Sequence, residues 1–166
     1  MALEFLVPTA SRSDEMREVS WDEFDMVGNT CVQLATRMEM RRPRRVRLFR
    51  RALTFLNAAK KPDDESGLAF LGTKPGRPLS DMTLSKLVKE LGYNADVHGF
   101  RTPFRTWAHE RTNFPREVAE AALAHLSGDA VERAYSRSDV FQRRHKVMGA
   151  WVACLGEKRN SVVRIG

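Results

Sequence analysis

Two arginines, Arg12 and Arg101, two histidines, His98 and His125, and one tyrosine, Tyr135, have the side-chain types to act together on a phosphodiester. A guanidinium is a planar fork that donates paired hydrogen bonds to phosphate oxygens and keeps its charge near neutrality. A histidine can donate to a further oxygen or move a proton near pH 7. A tyrosine supplies an oxygen that can join covalently to phosphorus. Such a set can attack a phosphodiester without a metal. Each member also has a plainer reading. Arg12 alone reads as a surface arginine, His98 and Arg101 as a helix-surface pair, His125 as a core histidine and Tyr135 as a packed aromatic. His109 and His145 read as structural, because no carboxylate or cysteine completes a ligand set with them.

The elements that must hold these residues can be read from patterning. Residues 1–7 read as the tail of a helix, cut short by Pro8. Arg12 to Trp21 reads as a short helix with Ser11 or Ser13 as its cap. Gly28-Asn29 separates two candidate strands, and Arg44-Arg45-Val46-Arg47-Leu48 alternates as a half-buried strand with a basic outer face. Residues 36–43 form the expected hairpin tip between strands. Phe49 to Ala59 is a helix. Ser80-Asp81 caps another that runs to Leu91 and closes on Gly92, with Leu84, Leu87, Val88 and Leu91 on one face. His98 to Thr112 has helical tendency, Asn113-Phe114-Pro115 breaks it, and Pro115 opens a helix to about His125. A turn at Ser127-Gly128-Asp129 leads to a short helix carrying Tyr135. Asp139 caps a long last helix with a buried stripe of Phe141, His145 or Met148, Val152 and Leu155. The expected fold class is mostly α with a small antiparallel β-sheet (α+β), in a single domain over residues 1–166.

The 166 residues carry a net charge of +7, which favours an anionic partner: nucleic acid, acidic membrane or acidic protein. The run Arg41 to Arg51 is a solvated basic face that could also lie along DNA phosphates, and Arg41, Arg42, Arg44 and Arg45 are its candidate DNA contacts. Trp21, Trp107 and Trp151 read as core rather than as base-stacking platforms. The two cysteines, Cys31 and Cys154, are far apart and form no zinc motif, as in a reduced intracellular protein. No apolar run approaches the ~18 residues of a membrane helix. The N-terminus lacks the basic leader of a signal peptide, so no membrane partner is expected and cytoplasm is the expected compartment.

In this order and spacing, several stretches resemble the catalytic domain of tyrosine recombinases, the integrases of prophages and genomic islands. They are Thr9 to Arg17, Trp21 to Asp25, Arg41 to Val46, Pro78 to Thr83, His98-Gly99-Phe100-Arg101, Leu123-Ala124-His125 and Ala134-Tyr135. Any one alone is a weak signal. The resemblance implies the integrase catalytic-domain fold and double-stranded DNA as partner. Arg12 and Arg101 would clamp the scissile phosphate, His98 would orient or accept a proton, and His125 would donate to a non-bridging oxygen. Tyr135 would attack phosphorus to leave a 3′-phosphotyrosyl link and a free 5′-hydroxyl. Glu15 would be a supporting residue. No metal or nucleotide cofactor is implied. The last helix would pack on a neighbouring protomer in a dimer or tetramer, or fold back on its own domain. Arm-binding and core-binding domains that family members carry upstream are not found in this sequence.

Two positions depart from the family pattern. Glu39 stands where the family places a lysine that protonates the 5′-oxygen. A carboxylate ~4 Å from a phosphate oxygen repels it by roughly 4 kcal/mol at an effective dielectric near 20. Loss of a general acid costs ~10²–10⁴ in rate. Pro103 is the second departure. In a helix that starts near Asp96 it costs ~3 kcal/mol; in one that Thr102 caps it costs nothing, but leaves His98 and Arg101 on a turn. The sequence therefore carries a recombinase reading and three rivals: a decayed remnant that binds DNA non-specifically, a nicking-closing enzyme of the type IB topoisomerase kind, and a basic helical interaction module.

Overall fold

The structure is a computed structural model that describes residues 2–34, 43–61, 64–74, 76–95, 97–124 and 137–156; at 81, 97, 98 and 137–140 only the backbone is described. Its helices are α1 (Ala2–Thr9), α2 (Ser13–Arg17), α3 (Arg50–Ala59), α4 (Asp81–Glu90), α5 (Arg101–Arg111), α6 (Arg116–Ala122) and α7 (Arg137–Gly156). Strands β1 (Phe24–Asp25), β2 (Thr30–Gln33) and β3 (Arg44–Arg47) form an antiparallel sheet in that order, with Cys31 opposite Val46 and Gln33 opposite Arg44. This is the expected mostly-α class with a small antiparallel sheet. Residues 36–42 of the expected hairpin tip, and the expected turn and short helix over residues 127–135, lie outside the described residues.

Turn chemistry sets the first hairpin. Asp25 Oδ1 accepts from the backbone N–H of Gly28 at 2.7 Å and of Val27 at 3.1 Å. A Cβ at Gly28 would lie 2.2 Å from Asp25 Oδ2, so any larger residue there would displace the carboxylate that braces the turn. Helix α4 behaves as its sequence demands: Ser80 is the N-cap and Gly92, at φ +84°, ends it in the left-handed region. Leu84 and Val88 are buried, whereas Leu91, expected on the same face, is exposed because it lies beyond the last helical turn.

Several boundaries differ from the sequence expectation. Helix α1 continues through Pro8 to Thr9, whose hydroxyl donates to the Phe5 carbonyl at 2.8 Å. The cap of α2 is Arg12 rather than Ser11 or Ser13. Helix α5 starts at Arg101, so Pro103 sits in its first turn, where a backbone N–H has no intrahelical acceptor and none is lost. His98 lies on the 3₁₀ turn Val97–Phe100 just before it. Helix α6 stops at Ala122, short of His125. Helix α7 includes Arg137, two residues before Asp139, and its most deeply buried residues are Val147, Met148 and Trp151; Phe141, His145, Val152 and Leu155 are half-buried.

The core has two lobes. One gathers Phe5, Leu6, Met16, Val19, Cys31, Val46, Leu48, Ala52, Leu56, Phe70, Leu84 and Val88 from α1 to α4 and the sheet. The other gathers Phe104, Val118, Ala122, Val147, Met148 and Trp151 from α5, α6 and α7, with Ala10 after α1 and Leu123 at the end of α6. Each fully buried large side chain contributes roughly 1.5–3 kcal/mol through its removal from water. Trp151 packs 5.2 Å from Trp107 and edge-on to Phe104 at 5.6 Å, and its indole N–H donates to the Val7 carbonyl at 3.1 Å. That bond ties α7 to α1. Helix α7 therefore lies on its own domain, against α1, α5, α6 and β3. Among the described residues no helix is long and apolar enough to cross a membrane.

Candidate functional site

Where the two lobes meet, three arginines gather around one carboxylate. Arg12 leaves α1 through Ala10, a left-handed residue at φ +48°, and caps α2 with extended backbone. Three residues on, the Glu15 side chain turns back: Oε2 accepts from the Arg12 backbone N–H at 2.9 Å and Oε1 from Arg12 Nη1 at 3.2 Å. This is one half of a capping box: the carboxylate at the third helical position satisfies the N–H of the cap, while the arginine side chain, a donor only, returns no acceptor. Glu15 is buried at 1% exposure, and its Oε2 also takes Arg44 Nη1 at 3.2 Å.

Arg44 is the first residue of β3. Strand alternation puts it on the same face as Val46, and it is buried at 5% exposure. Its Nη2 donates to the Ala122 carbonyl at the end of α6. Arg101, also buried, reaches the same helix end, with Nη2 donating to the Leu123 carbonyl. Both carbonyls lie at the C-terminal end of α6, on its last residue and on its cap, where they lack intrahelical donors and carry the negative end of the helix dipole. The next residue, Ala124, is left-handed at φ +54° and immediately precedes His125.

The electrostatics follow from this crowding. Burial, then Arg144 and Arg12, pull Arg44 down to about 10 against the support of Glu15. Burial, followed by Arg44 and Arg12, likewise pulls Arg101 down to about 10. The Nε–H groups of Arg44 and Arg101 are buried without a hydrogen-bond partner among the described residues. Two buried guanidinium groups of like charge in one place are costly unless acceptors and counter-charge are supplied, and Glu15 with the carbonyls at the end of α6 supplies part of both.

Of the residues picked out from sequence, the structure brings Arg12, Glu15 and Arg101 together. Arg44, expected on the basic outer face of its strand, is instead inside this cluster. The clue lies in the sequence as parity: position 44 shares a strand face with apolar 46 and 48. Arg45 is on the outer face as expected, its guanidinium 5.1 Å above the Phe141 ring. The backbone of His98 is placed one turn before Arg101, and its side chain lies outside the description. His125, Tyr135, Glu39, Arg41 and Arg42 lie outside the described residues. His145 stacks on Phe49 at 5.3 Å, and His109 lies 3.7 Å from Glu120. Among the described residues no three His, Cys, Asp or Glu side chains form a metal-binding group.

Comparison with known proteins supplies independent findings. Residues 1–141 match the Phage integrase family. Prophage integrase IntA of Escherichia coli (strain K12) is 34% identical over 146 residues, covering 86% of this chain and 35% of that protein. The integrase of Shigella phage Sf6 is 28% identical over 163 residues, covering 95% of this chain and 42% of that protein. The chain therefore spans 35% to 42% of the length of these two curated relatives. The Tn1549 transposon integrase, solved in complex with circular intermediate DNA, has a similar fold. Its TM-score is 0.58 at 14% identity, over 87% of this chain and 56% of that one.

Proposed function

The chain belongs to the phage integrase family, and on that premise we propose that it is the catalytic domain of a site-specific DNA recombinase, over residues 1–166. The observation that carries the reading is the arginine cluster, in which buried Arg101 lies beside Arg12 and Arg44 and its Nε–H has no hydrogen-bond partner among the described residues. In this reading Arg12 and Arg101 hold the scissile phosphate and offset charge that builds on its oxygens in the transition state, where preorganised donors count most. Tyr135 attacks phosphorus and gives up its phenolic proton, with His98 as its acceptor. The P–O5′ bond breaks, and the leaving oxygen takes a proton from water, since Glu39 stands where the family's lysine would supply it, to become a 5′-hydroxyl. His125 donates to a non-bridging oxygen. A second 5′-hydroxyl then reverses the step and joins the new strand. Arg45, with Arg41 and Arg42, would lie along neighbouring phosphates of the duplex.

Assembly on DNA, as a dimer or tetramer, would use the outer face of α7, because its inner face is occupied by its own domain. The same reading puts the protein in the bacterial cytoplasm, on the nucleoid when DNA-bound. One residue favours a second reading: Glu39, at the position where the resemblance calls for a lysine, suits a remnant that binds DNA without cutting it.

The test is incubation of the chain, Glu39→Lys and Tyr135→Phe with supercoiled plasmid in EDTA, scored for relaxation and for a detergent-resistant protein–DNA adduct. The recombinase reading expects an adduct from the natural chain that Tyr135→Phe abolishes. An adduct from Glu39→Lys alone selects the remnant. Adduct that persists in Tyr135→Phe overturns the assigned nucleophile.

A further inference from the structure

Arg44 touches both sides of the site. Through Nη1 it holds Glu15, which in turn grips Arg12 by backbone and side chain; through Nη2 it holds the last turn of α6. Glu15 belongs to the stretch packed on the first lobe of the core, and Ala122 to the second lobe. A β-strand residue thus spans the seam between them. With both of its terminal amino groups engaged and only 5% exposure, Arg44 is poorly placed to serve as another surface contact to DNA.

We propose that Arg44 is a positioning residue for phosphate binding: it sets Arg12 through Glu15, and through the Ala122 carbonyl it fixes the end of α6 that Arg101 also grips. The inference rests on the reading of Arg12 and Arg101 as the phosphate clamp. Its physical basis is rigidity. A long arginine side chain has many rotamers, and holding one in a productive geometry requires partners that are themselves fixed. Glu15 is held by the Arg12 backbone N–H at 2.9 Å, by Arg12 Nη1 at 3.2 Å and by Arg44 Nη1 at 3.2 Å. Removal of Arg44 leaves the carboxylate one support fewer and leaves the Ala122 carbonyl without this donor.

The experiment is a titration of the full chain, labelled with ¹⁵N-arginine, with inorganic phosphate. The side-chain Nε–H resonances of Arg12 and Arg101 are followed alongside the backbone amide spectrum. In the natural chain both resonances shift with phosphate. In Arg44→Met the affinity falls about 10-fold, as for loss of a supporting partner at a preorganised site, and the Arg12 response shrinks while backbone amides remote from the site keep their positions. Arg44→Lys, whose ammonium reaches one of the two partners, loses about 5-fold, and it carries the test alone if Arg44→Met does not fold. A folded variant with an affinity within about twofold of the natural chain and an unchanged Arg12 response overturns the inference and leaves the clamp standing. Absence of any shift at Arg12 and Arg101 in the natural chain overturns the clamp, and the inference with it.

Discussion

Glu15→Gln is the substitution whose consequence can be worked out most fully. The change keeps shape and removes one negative charge from a side chain at 1% exposure. Two ion contacts at 3.2 Å depend on that charge, to Arg12 Nη1 and Arg44 Nη1. At that distance and an effective dielectric near 20, each attraction is about 5 kcal/mol before desolvation is counted. Desolvation of buried ions offsets most of it, and breaking a buried pair from one side costs about 3–5 kcal/mol. Glutamine keeps one acceptor oxygen, so the lower end, about 3 kcal/mol, is expected. For a domain of this size that is roughly 6–12 °C in Tm.

The assay is thermal unfolding by circular dichroism near neutral pH, with and without inorganic phosphate. Phosphate is expected to raise the Tm of Glu15→Gln less than that of the natural chain, because loss of the carboxylate leaves Arg12 less firmly positioned for the anion. Glu90→Gln is the control. Its partner Lys86 is 3.8 Å away and both side chains are largely exposed, so the loss should stay under about 0.5 kcal/mol. A Glu15→Gln melt that matches this control, or a phosphate response equal to that of the natural chain, refutes the view of Glu15 as the buried counter-charge of an anion site.

Two further outcomes are expected of the backbone. Pro103→Ala should change stability by less than about 1 kcal/mol in urea unfolding, since the first turn of α5 has no hydrogen bond there to restore; a gain near 3 kcal/mol would mean that the helix begins earlier than Arg101. Ala124→Gly relieves a left-handed alanine at a cost of about 1–2 kcal/mol but adds about 0.5–1 kcal/mol of unfolded-state freedom, so the net expectation is stabilisation by about 0.5 kcal/mol. A destabilised Ala124→Gly in the same unfolding assay would show that the φ at this corner carries no strain.

The elements legible from sequence are those whose signals are local. Gly92 ends α4 because a left-handed residue at a helix end costs glycine little, and Ser80 begins it. Pro115 stands at the start of α6, where a missing N–H costs nothing. The alternation over residues 44–47 makes a strand, and the resemblance singled out Arg12, Glu15 and Arg101, which the structure brings together. Where reading went astray, a distant partner decided. Pro8 lies within α1 although it carries no N–H, in a helix whose Phe5 and Leu6 belong to the first lobe and whose last turn receives Trp151 at the Val7 carbonyl. The cap of α2 is Arg12 because Glu15 reaches back to its N–H, which serine candidates on either side did not reveal.

By itself, then, the sequence determined the fold class, most of the element order and the types of side chain available for phosphate chemistry, since these depend on periodicity and on neighbours a few residues apart. Tertiary structure alone decided that Arg44 joins Arg12 and Arg101 in one cluster. Arg12, Arg44 and Arg101 come from three different elements and meet only when the two lobes of the core close. Arg44 then turns from an apparent surface charge into the buried link between Glu15 and the end of α6, because a guanidinium removed from water must find acceptors, and these lie 29 residues before it and 78 residues after it in the chain.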